Sequence, residues 1–374
     1  MRILLCLLVS LSSAQEFPPV LGNPPAQSVE DWEKKVRPET YRFFETQIYG
    51  KAPLEKPPFL IFSEEEPDPK AMNGLATKRV VTISYGNTPK NSGQLRAVFF
   101  VPNEVSKPAP AFILICNRGF EEIDPKRTDW TGFWPADEIV KRGYVAAAFF
   151  NGDADPDEAD DFKKGIHAVF PTEDDGSSWG TIAAWGWGAS RILDFFKTIP
   201  EIDEKKVAVI GHSRGGKAAL WAGARDERFA LTISNNSGCT GAALAKRKQG
   251  ETVERINTVF PHWFCGNYSK WNAREDEMPY DQHQLVALIA PRLVYVASAE
   301  KDRWADPEGE FLAAKLAGPV YELFGKKGVG SEKMPEVGKP LHTGSIGYHI
   351  REGKHNLRSD DWGYYMDFAD RHWK

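Results

Sequence analysis

Ser213 stands in a sequence context that is typical of an enzymatic nucleophile. Four apolar residues, 207–210, predict a short strand that is buried on both faces. The pattern Gly211-x-Ser213-x-Gly215 follows directly, and residues 217–224 predict an alanine-rich helix. This order of strand, Gly-x-Ser-x-Gly and helix indicates a nucleophile elbow, a tight turn that presents the serine hydroxyl above a sheet. Without the flanking strand and helix, the same pattern would suit an ordinary glycine-rich turn.

The helix start after Ser213 predicts a site that stabilises anions. A helix N-terminus carries partial positive charge, and the backbone N–H of Arg214 would face an oxyanion formed on an attacked carbonyl. Arg214 and Lys217 place two cations at the same helix start. Because cations there oppose the helix dipole, their presence indicates that something anionic lies nearby.

A serine nucleophile needs a base, and His355 is the histidine best placed to supply it. In a hydrolase sheet with this elbow, the chain order is serine, acid, histidine. His355 stands where a strand ends and a glycine-containing loop precedes the terminal helix. His349 is the competing candidate, but its position within the strand favours a structural role. Three others are disfavoured by a position before the elbow, within it or at the chain end: His167, His212 and His372.

The acid that orients the histidine is predicted after the last strong apolar strand, 291–297. A carboxylate at the carboxyl end of that strand can reach the histidine loop. Asp302, Glu300 and Asp306 all follow it. Asp306 precedes Pro307 and suits a helix N-cap, whereas Glu300 suits a solvated loop charge. Asp302 is therefore the preferred candidate for the acid, and Glu300 is the alternative.

The N-terminal residues predict export. Residues 1–14 combine one positive residue, an apolar run of about ten residues and a small-residue end, as in a secretory signal peptide. The run is too short to span a bilayer as a mature helix. We therefore expect a secreted or periplasmic protein whose mature form does not contact a membrane.

Composition narrows the remaining function classes. The net charge of −5 offers no basic surface for nucleic acid. Outside the leader, the odd set Cys116, Cys239 and Cys265 rules out a disulfide framework but leaves one bridge open. No cluster of cysteine and histidine has metal-ligand spacing, so neither a metal nor another cofactor is expected. The 12 tryptophans suit either core packing or stacking on sugar rings.

Apolar segments alternate with helical patterns and predict a mostly parallel sheet that is covered on both faces. An antiparallel pair at 78–85 and 93–102 would enter this sheet. Further strands are predicted at 111–116, 144–150, 207–210, 231–234 and 293–297, and helices at 135–142, 181–198, 217–225 and 306–316. With the elbow after a central strand, this order fits an α/β-hydrolase fold, a three-layer αβα sandwich with a twisted central sheet. Residues 15–374 are expected to form one domain, with a proline-rich N-terminal arm over about 15–69 that carries a helix at 29–49.

The sequence resembles the glucuronoyl esterases, carbohydrate esterase family 15. The resemblance rests on the segments 211–217, 179–191, 278–292 and 301–307. A serine followed by Arg and Lys at these spacings is far more specific than Gly-x-Ser-x-Gly alone. The similarity runs from about residue 32 to the C-terminus. It implies an α/β-hydrolase that cleaves the ester between glucuronic acid on xylan and lignin alcohols.

The resemblance also implies roles for the matched residues. Ser213 would be the nucleophile and His355 the base. Arg214 would stabilise the oxyanion through its backbone and its guanidinium. Lys217 would contact sugar hydroxyls one helical turn further along. Two more positions would bind the sugar: Trp304, which would flank the glucuronate, and Glu251, a weaker match to an acidic position.

Two features depart from the fungal members of that family. Many of these place the triad acid after the strand that follows the elbow, where this chain has Asn236. Asparagine cannot balance an imidazolium charge, so the role passes to Asp302, as in bacterial members with a later acid. Fungal members also bridge a cysteine before the serine to one beside the histidine, where this chain has His212 and Asn356.

The sequence thus predicts a monomeric, secreted serine esterase that acts on glucuronoxylan–lignin esters through an acyl-enzyme. An acetyl or feruloyl carbohydrate esterase is the nearest alternative. A serine peptidase on the same fold is a second, although a propeller domain of the usual kind has no room here. A non-catalytic carbohydrate-binding protein with a hydrolase fold is the alternative from another class.

Overall fold

A ten-stranded sheet forms the centre of the computed structural model, which describes residues 17–52, 56–104, 108–171 and 175–374. The predicted signal peptide at 1–14 lies outside the described residues. The strands are β1 (Phe59–Glu64), β2 (Asp68–Lys70), β3 (Ala76–Thr88), β4 (Asn91–Pro102), β5 (Ala109–Cys116), β6 (Val145–Phe150), β7 (Ile202–His212), β8 (Leu231–Asn235), β9 (Leu293–Ala299) and β10 (Ile346–Arg351).

The strand order across the sheet is β1-β3-β4-β6-β5-β7-β8-β9-β10, with β2 paired to β3. The pairs from β1 to β6 along this order are antiparallel, and those from β6 to β10 are parallel. This confirms the predicted antiparallel entry pair followed by parallel strands. It also sets β7, the elbow strand, between β5 and β8 in the middle of the parallel half.

Helices cover both faces of the sheet, as predicted for a three-layer sandwich. Alternate residues of β7 enter different cores: Val207 and Val209 pack on one face, and Ala208 and Ile210 pack on the other. The helices are α1 (Val29–Asp31), α2 (Arg37–Phe44), α3 (Ala71–Gly74), α4 (Ala136–Lys141), α5 (Asn151–Ala154), α6 (Gly165–Val169), α7 (Thr181–Phe196), α8 (Arg214–Arg225), α9 (Val253–Val259), α10 (Gln282–Ala287), α11 (Pro307–Leu316), α12 (Gly318–Leu323) and α13 (Ser359–Trp373).

The N-terminal arm carries the expected helix. Two π-helical segments, Trp32–Val36 and Glu45–Tyr49, alternate with α1 and α2, so the chain is helical without a break from residue 29 to residue 49. Ser28 caps this helix by accepting a hydrogen bond from the backbone N–H of Asp31 at 3.1 Å. At its far end, the Tyr49 ring stacks on Trp221 of α8 with centroids 4.6 Å apart. The arm therefore packs against the helix that follows the elbow.

Helix α8 is held in place by close packing against α7. A Cβ added to Gly186 of α7 would lie 3.0 Å from the carbonyl oxygen of Ala218 in α8, so the two backbones approach closely here. Core packing accounts for most of the tryptophans, since eight of them are buried: Trp32, Trp134, Trp179, Trp185, Trp187, Trp221, Trp263 and Trp362. Trp304 is different, because 52% of it is exposed.

Three cysteines of the described residues are free and buried: Cys116, Cys239 and Cys265. Burial raises the pKa of each thiol to about 12, which makes all three poor nucleophiles at neutral pH. Within the described ranges, no helix is both long and apolar enough to cross a bilayer.

Candidate active site

Ser213 occupies the turn between β7 and α8. Its backbone lies at φ 56° and ψ −124°, a conformation that costs free energy for a residue with a side chain. The turn is anchored because the Ser213 N–H donates to the carbonyl oxygen of Asn235 at 2.8 Å. A Cβ on Gly211 would lie 2.0 Å from the Gly215 carbonyl oxygen, so only glycine fits there. The turn thus holds the serine in a strained backbone conformation at a helix N-terminus.

His355 and Asp302 form a direct pair. The imidazole Nδ1 lies 2.5 Å from Oδ2 of Asp302. The side chain of Asp302 is 3% exposed, whereas that of His355 is 40% exposed. A carboxylate can only accept here, so Nδ1 is the donor and Nε2 of the neutral ring is left able to take a proton. This is the arrangement that a general base and its orienting acid require.

The loops that carry this pair are joined by their backbones. They follow β9 and β10, which are parallel neighbours in the sheet. The Glu300 N–H donates to the Arg351 carbonyl and the Lys301 N–H donates to the Gly353 carbonyl, both at 3.0 Å. The acid loop and the histidine loop are thereby fixed in register.

Asn236 contacts Asp302 from the end of the neighbouring strand. Its Nδ2 donates to the same Oδ2 of Asp302 at 3.0 Å. Its backbone has a φ of 46°, a left-handed conformation that asparagine tolerates better than most residues. Burial raises the pKa of Asp302, but the hydrogen bonds from His355 and Asn236 and the charge of His355 outweigh it, so the pKa lies below its usual value. The sequence indicates only that Asn236 stands where fungal members have the triad acid; its hydrogen bond to Asp302 was not predicted.

The other carboxylates considered for the acid role lie in different surroundings. Glu300 is exposed and contacts Lys301 at 3.4 Å, as expected of a solvated loop charge. Asp306 does precede a helix with Pro307 at its first position. This confirms the predicted N-cap position, although the side chain forms no cap hydrogen bond and Oδ2 accepts instead from Nε of Arg247 at 2.7 Å.

His349 lies buried within β10, away from the loop that carries His355. Its Nε2 lies 2.8 Å from Oδ1 of Asp361, and its Nδ1 lies 3.1 Å from the hydroxyl of Tyr295. Both ring nitrogens are therefore engaged inside the protein. This agrees with the structural role expected for a histidine within a strand.

His212, which precedes the serine, packs against the proposed base. The centroids of the His212 and His355 rings are 4.5 Å apart. The His212 Nδ1 lies 2.6 Å from Oδ1 of Asn235, which can only accept, so Nδ1–H is the donor. Burial, with the charge of His355, lowers the pKa of His212 to about 3. His212 therefore packs against His355 as a neutral ring.

Arg214 is held in a cage of aromatic and acidic side chains. Its guanidinium lies 4.7 Å from the centroid of the Trp263 ring, and its Nη1 donates to Oδ2 of Asp157. The other oxygen of Asp157 contacts Nε2 of His262 at 2.8 Å and accepts from Nε1 of Trp263 at 2.7 Å. Burial raises the pKa of Asp157, but these three partners lower it to about 2.

The role of Asp157 was not predicted from the sequence, although a signal for it exists. Asp153, Asp155 and Asp157 form an acidic run shortly after β6. Proteins with an α/β sheet bind their ligands at the carboxyl ends of the parallel strands. What the sequence could not show is which of the three carboxylates reaches Arg214.

Lys217 lies buried beneath the elbow and pairs with Glu251. Its Nζ donates to Oε2 of Glu251 at 2.7 Å and to the carbonyl oxygens of Ser237 and Cys239 at 2.8 and 2.5 Å. All three N–H donors of the ammonium are thus engaged within the protein. A sugar hydroxyl reaches this ammonium only by sharing or displacing one of these acceptors.

Trp304 stands beside this buried pair as a half-exposed aromatic ring. Its carbonyl oxygen accepts from the backbone N–H of Glu251 at 3.0 Å. A Cβ on Gly250 would lie 2.2 Å from that oxygen, which explains the glycine at this close approach. The residues predicted to bind the sugar are therefore neighbours in the structure.

The fold and the order of the site define the class of protein. Ser213, Asp302 and His355 follow β7, β9 and β10 in turn, and parallel strands present their carboxyl ends at one edge of a sheet. This is the chain order of the α/β-hydrolases. Among the described residues, no group of three histidine, cysteine or acidic side chains is arranged to hold a metal ion.

Comparison with known proteins identifies the family. Residues 87–325 match the family model for fungal glucuronyl esterase. The chain is 40% identical to a glucuronoyl esterase structure from Solibacter usitatus, with a TM-score of 0.90 over 97% of this chain and 99% of that one. It is 41% identical to carbohydrate esterase MZ0003 of an unknown prokaryotic organism, over 92% of this chain and 86% of the relative. A 4-O-methyl-glucuronoyl methylesterase of Phanerochaete carnosa is 32% identical over 48% of this chain and 47% of its own.

The chain belongs to the glucuronoyl esterase family, carbohydrate esterase family 15, and is a carboxylic ester hydrolase. The resemblance noted in the sequence is thereby confirmed. A glucuronoyl esterase from Teredinibacter turnerae has the same fold, with 30% identity and a TM-score of 0.85 over 96% of this chain and 89% of that one.

Proposed function

We propose that this enzyme hydrolyses the ester between 4-O-methyl-glucuronate of xylan and lignin alcohols, through a Ser-His-Asp triad and an acyl-enzyme. The observation that carries the proposal is the 2.5 Å contact of His355 with Asp302, on loops that follow β10 and β9. It supports a base that is oriented for a serine on the neighbouring elbow. The family supplies the class of substrate, since relatives are named for esters of glucuronate.

In the proposed reaction, Ser213 attacks the ester carbonyl while Nε2 of His355 takes the hydroxyl proton. Asp302 holds the imidazole in the required tautomer and balances the imidazolium charge. The backbone N–H and the guanidinium of Arg214 stabilise the oxyanion. His355 then gives its proton to the leaving alcohol. Water hydrolyses the acyl-enzyme by the same steps in reverse and releases the uronic acid.

Recognition of the sugar is proposed for the cluster around Glu251. The exposed ring of Trp304 offers a face on which the C–H groups of a pyranose pack well. The ion pair of Lys217 with Glu251 lies close by and has a carboxylate that accepts hydrogen bonds from sugar hydroxyls. An aromatic platform and a charged acceptor together suit a uronate ring better than a flat phenolic acyl group.

We also propose that the enzyme is exported and acts as a monomer without metal or cofactor. The leader-like residues 1–14 support export. Sequencing the N-terminus of protein recovered outside the cytoplasm tests this. A mature chain that begins at Gln15 is the expected result, and a retained Met1 would contradict it.

A panel of esters tests the substrate class. Benzyl glucuronate and methyl 4-O-methyl-glucuronate should be hydrolysed, and acetylated xylan and methyl ferulate should be poor substrates. Ser213→Ala should abolish turnover and covalent labelling by a fluorophosphonate. A preference for acetyl or feruloyl esters would contradict the proposal and indicate an acetyl or feruloyl carbohydrate esterase. A wild-type protein that neither labels nor turns over would support carbohydrate binding without catalysis.

A further inference from the structure

The charge of Arg214 is already matched before any substrate arrives. Its guanidinium donates to Asp157, which also accepts from Trp263 at 2.7 Å and contacts His262 at 2.8 Å. The Arg214 side chain is 31% exposed, so the pairing with Asp157 leaves part of it accessible to solvent. Asp157 is fixed by three partners and is not a mobile counter-ion. Arg214 therefore presents donors to the site without a net positive charge.

The substrate and the product of ester hydrolysis differ in charge at the carbonyl carbon. The uronate ester is neutral there, whereas the released uronic acid is a carboxylate at neutral pH. A lone guanidinium forms a strong bidentate pair with a carboxylate. An unmatched Arg214 would therefore hold the product more tightly than the substrate. Since a guanidinium has five N–H donors, one bond to Asp157 still leaves donors for an ester oxyanion.

We propose that Asp157 is a specificity-determining residue, which lets the enzyme bind the neutral ester and release the acid. It does so by occupying Arg214, which denies the product carboxylate an unmatched cation. This inference rests on the proposed function, because it takes the substrate to be a uronate ester. Lys217, the second cation of the elbow, is also paired with a carboxylate of the protein: its Nζ lies 2.7 Å from Oε2 of Glu251.

Other charges near the elbow do not replace Asp157 in this role. Asp302 lies on the histidine side and is bonded to His355. Arg118 contacts Asn356 and lies 4.1 Å from the centroid of the Phe133 ring. Its partner Asn356 is the residue next to His355, so Arg118 also stands on the histidine side. Among the residues that the structure describes, the carboxylate that pairs with Arg214 is that of Asp157.

The test compares an acid with its neutral amide. Binding of glucuronate and glucuronamide is measured by calorimetry in the Ser213→Ala background, which removes turnover. With Asp157 intact, the two affinities should agree within about threefold. In Ser213→Ala/Asp157→Asn, glucuronate should gain roughly tenfold over the amide, the low end of what a charge-assisted hydrogen bond contributes. In active Asp157→Asn, the inhibition constant of glucuronate should fall by a similar factor, with the KM for benzyl glucuronate changed less.

Asp161→Asn is the matched control. Asp161 lies four residues from Asp157 and pairs with Lys163 at the surface, and its φ of 59° suits asparagine. It should leave the acid-to-amide ratio unchanged. A preference for glucuronate above about threefold with Asp157 intact would overturn the inference, even if Asp157→Asn fails to fold. Equal loss of both ligands in the folded variant would also overturn it, because that is the result of a merely structural role. If wild type does not hydrolyse benzyl glucuronate, it is the proposed function that fails.

Discussion

Replacing Asp302 by asparagine is the sharpest test of the triad. The carboxylate is 3% exposed, and its Oδ2 accepts from both His355 and Asn236, at 2.5 and 3.0 Å. Asparagine keeps the shape of the side chain and can present one oxygen to both donors. What it removes is the negative charge opposite the imidazolium that forms, in the proposed reaction, when His355 takes the serine proton. If the new side-chain amide flips so that its NH₂ group faces Nδ1 of His355, it also favours the wrong tautomer of the imidazole.

The size of the loss follows from this geometry. Two unit charges centred about 4 Å apart at an effective dielectric of about 20 interact by about 4 kcal/mol. Because each 1.36 kcal/mol is a factor of ten in rate, Asp302→Asn should lower kcat/KM by about 10³. Removal of the Asn236 amide costs one hydrogen bond to a charged acceptor, at most about 1.5–3 kcal/mol. Since His355 keeps its acid, we expect about a tenfold loss in Asn236→Ala.

The assay is kcat/KM for benzyl glucuronate, with circular dichroism to verify the fold of each variant. Glu300→Gln serves as the control, because the Glu300 side chain is exposed and its carboxylate pairs with the neighbouring Lys301. It should retain activity within about twofold of wild type, as expected for a surface charge. A larger loss in Asn236→Ala or Glu300→Gln than in Asp302→Asn would refute the assignment of the acid.

Two further predictions separate catalysis from stability. His349→Ala should destabilise the protein by about 3 kcal/mol, because it leaves a cavity and removes two buried hydrogen bonds, yet spare kcat per folded molecule. His355→Ala should instead lower kcat and leave the free energy of unfolding nearly unchanged. Denaturant unfolding and active-site titration check both. Burial raises the pKa of Glu310 to about 8, so the folded protein keeps a proton that the unfolded chain loses above about pH 4.5. Wild type should thus lose stability from about pH 4.5 to 8 relative to Glu310→Gln; a constant Tm difference between them would contradict this.

Much of the fold could be predicted because its strands are continuously apolar. Residues 207–210 lie inside β7, and alternate residues there enter opposite cores, which is why no polar residue interrupts the run. The elbow could also be predicted, because Gly211 lies too close to the carbonyl oxygen of Gly215, four residues later, for any side chain to fit. Features that depend on short stretches of chain leave a mark that a sequence can show.

The support around the site could not be predicted, because its contacts span long separations. Asn236 and Asp302 are 66 residues apart in the chain, and Arg214 and Asp157 are 57 apart. Nothing in the local sequence of Asn236 indicates that its amide donates to the acid. The same holds for Asp306, whose carboxylate accepts from Arg247, 59 residues away, and does not cap its own helix. Competition from distant partners decides such contacts.

The electrostatics of the elbow illustrate both outcomes. Two cations at a helix N-terminus correctly indicated that anions lie nearby, because the dipole opposes positive charge there. The structure places those anions in the protein, where Asp157 and Glu251 neutralise Arg214 and Lys217. A helix start that kept both cations unmatched would attract any carboxylate, including the product of its own reaction. When both cations are paired with carboxylates of the protein, the helix dipole and the backbone N–H groups remain available for the negative charge that develops on the ester oxygen. That oxyanion is the species the enzyme has to stabilise.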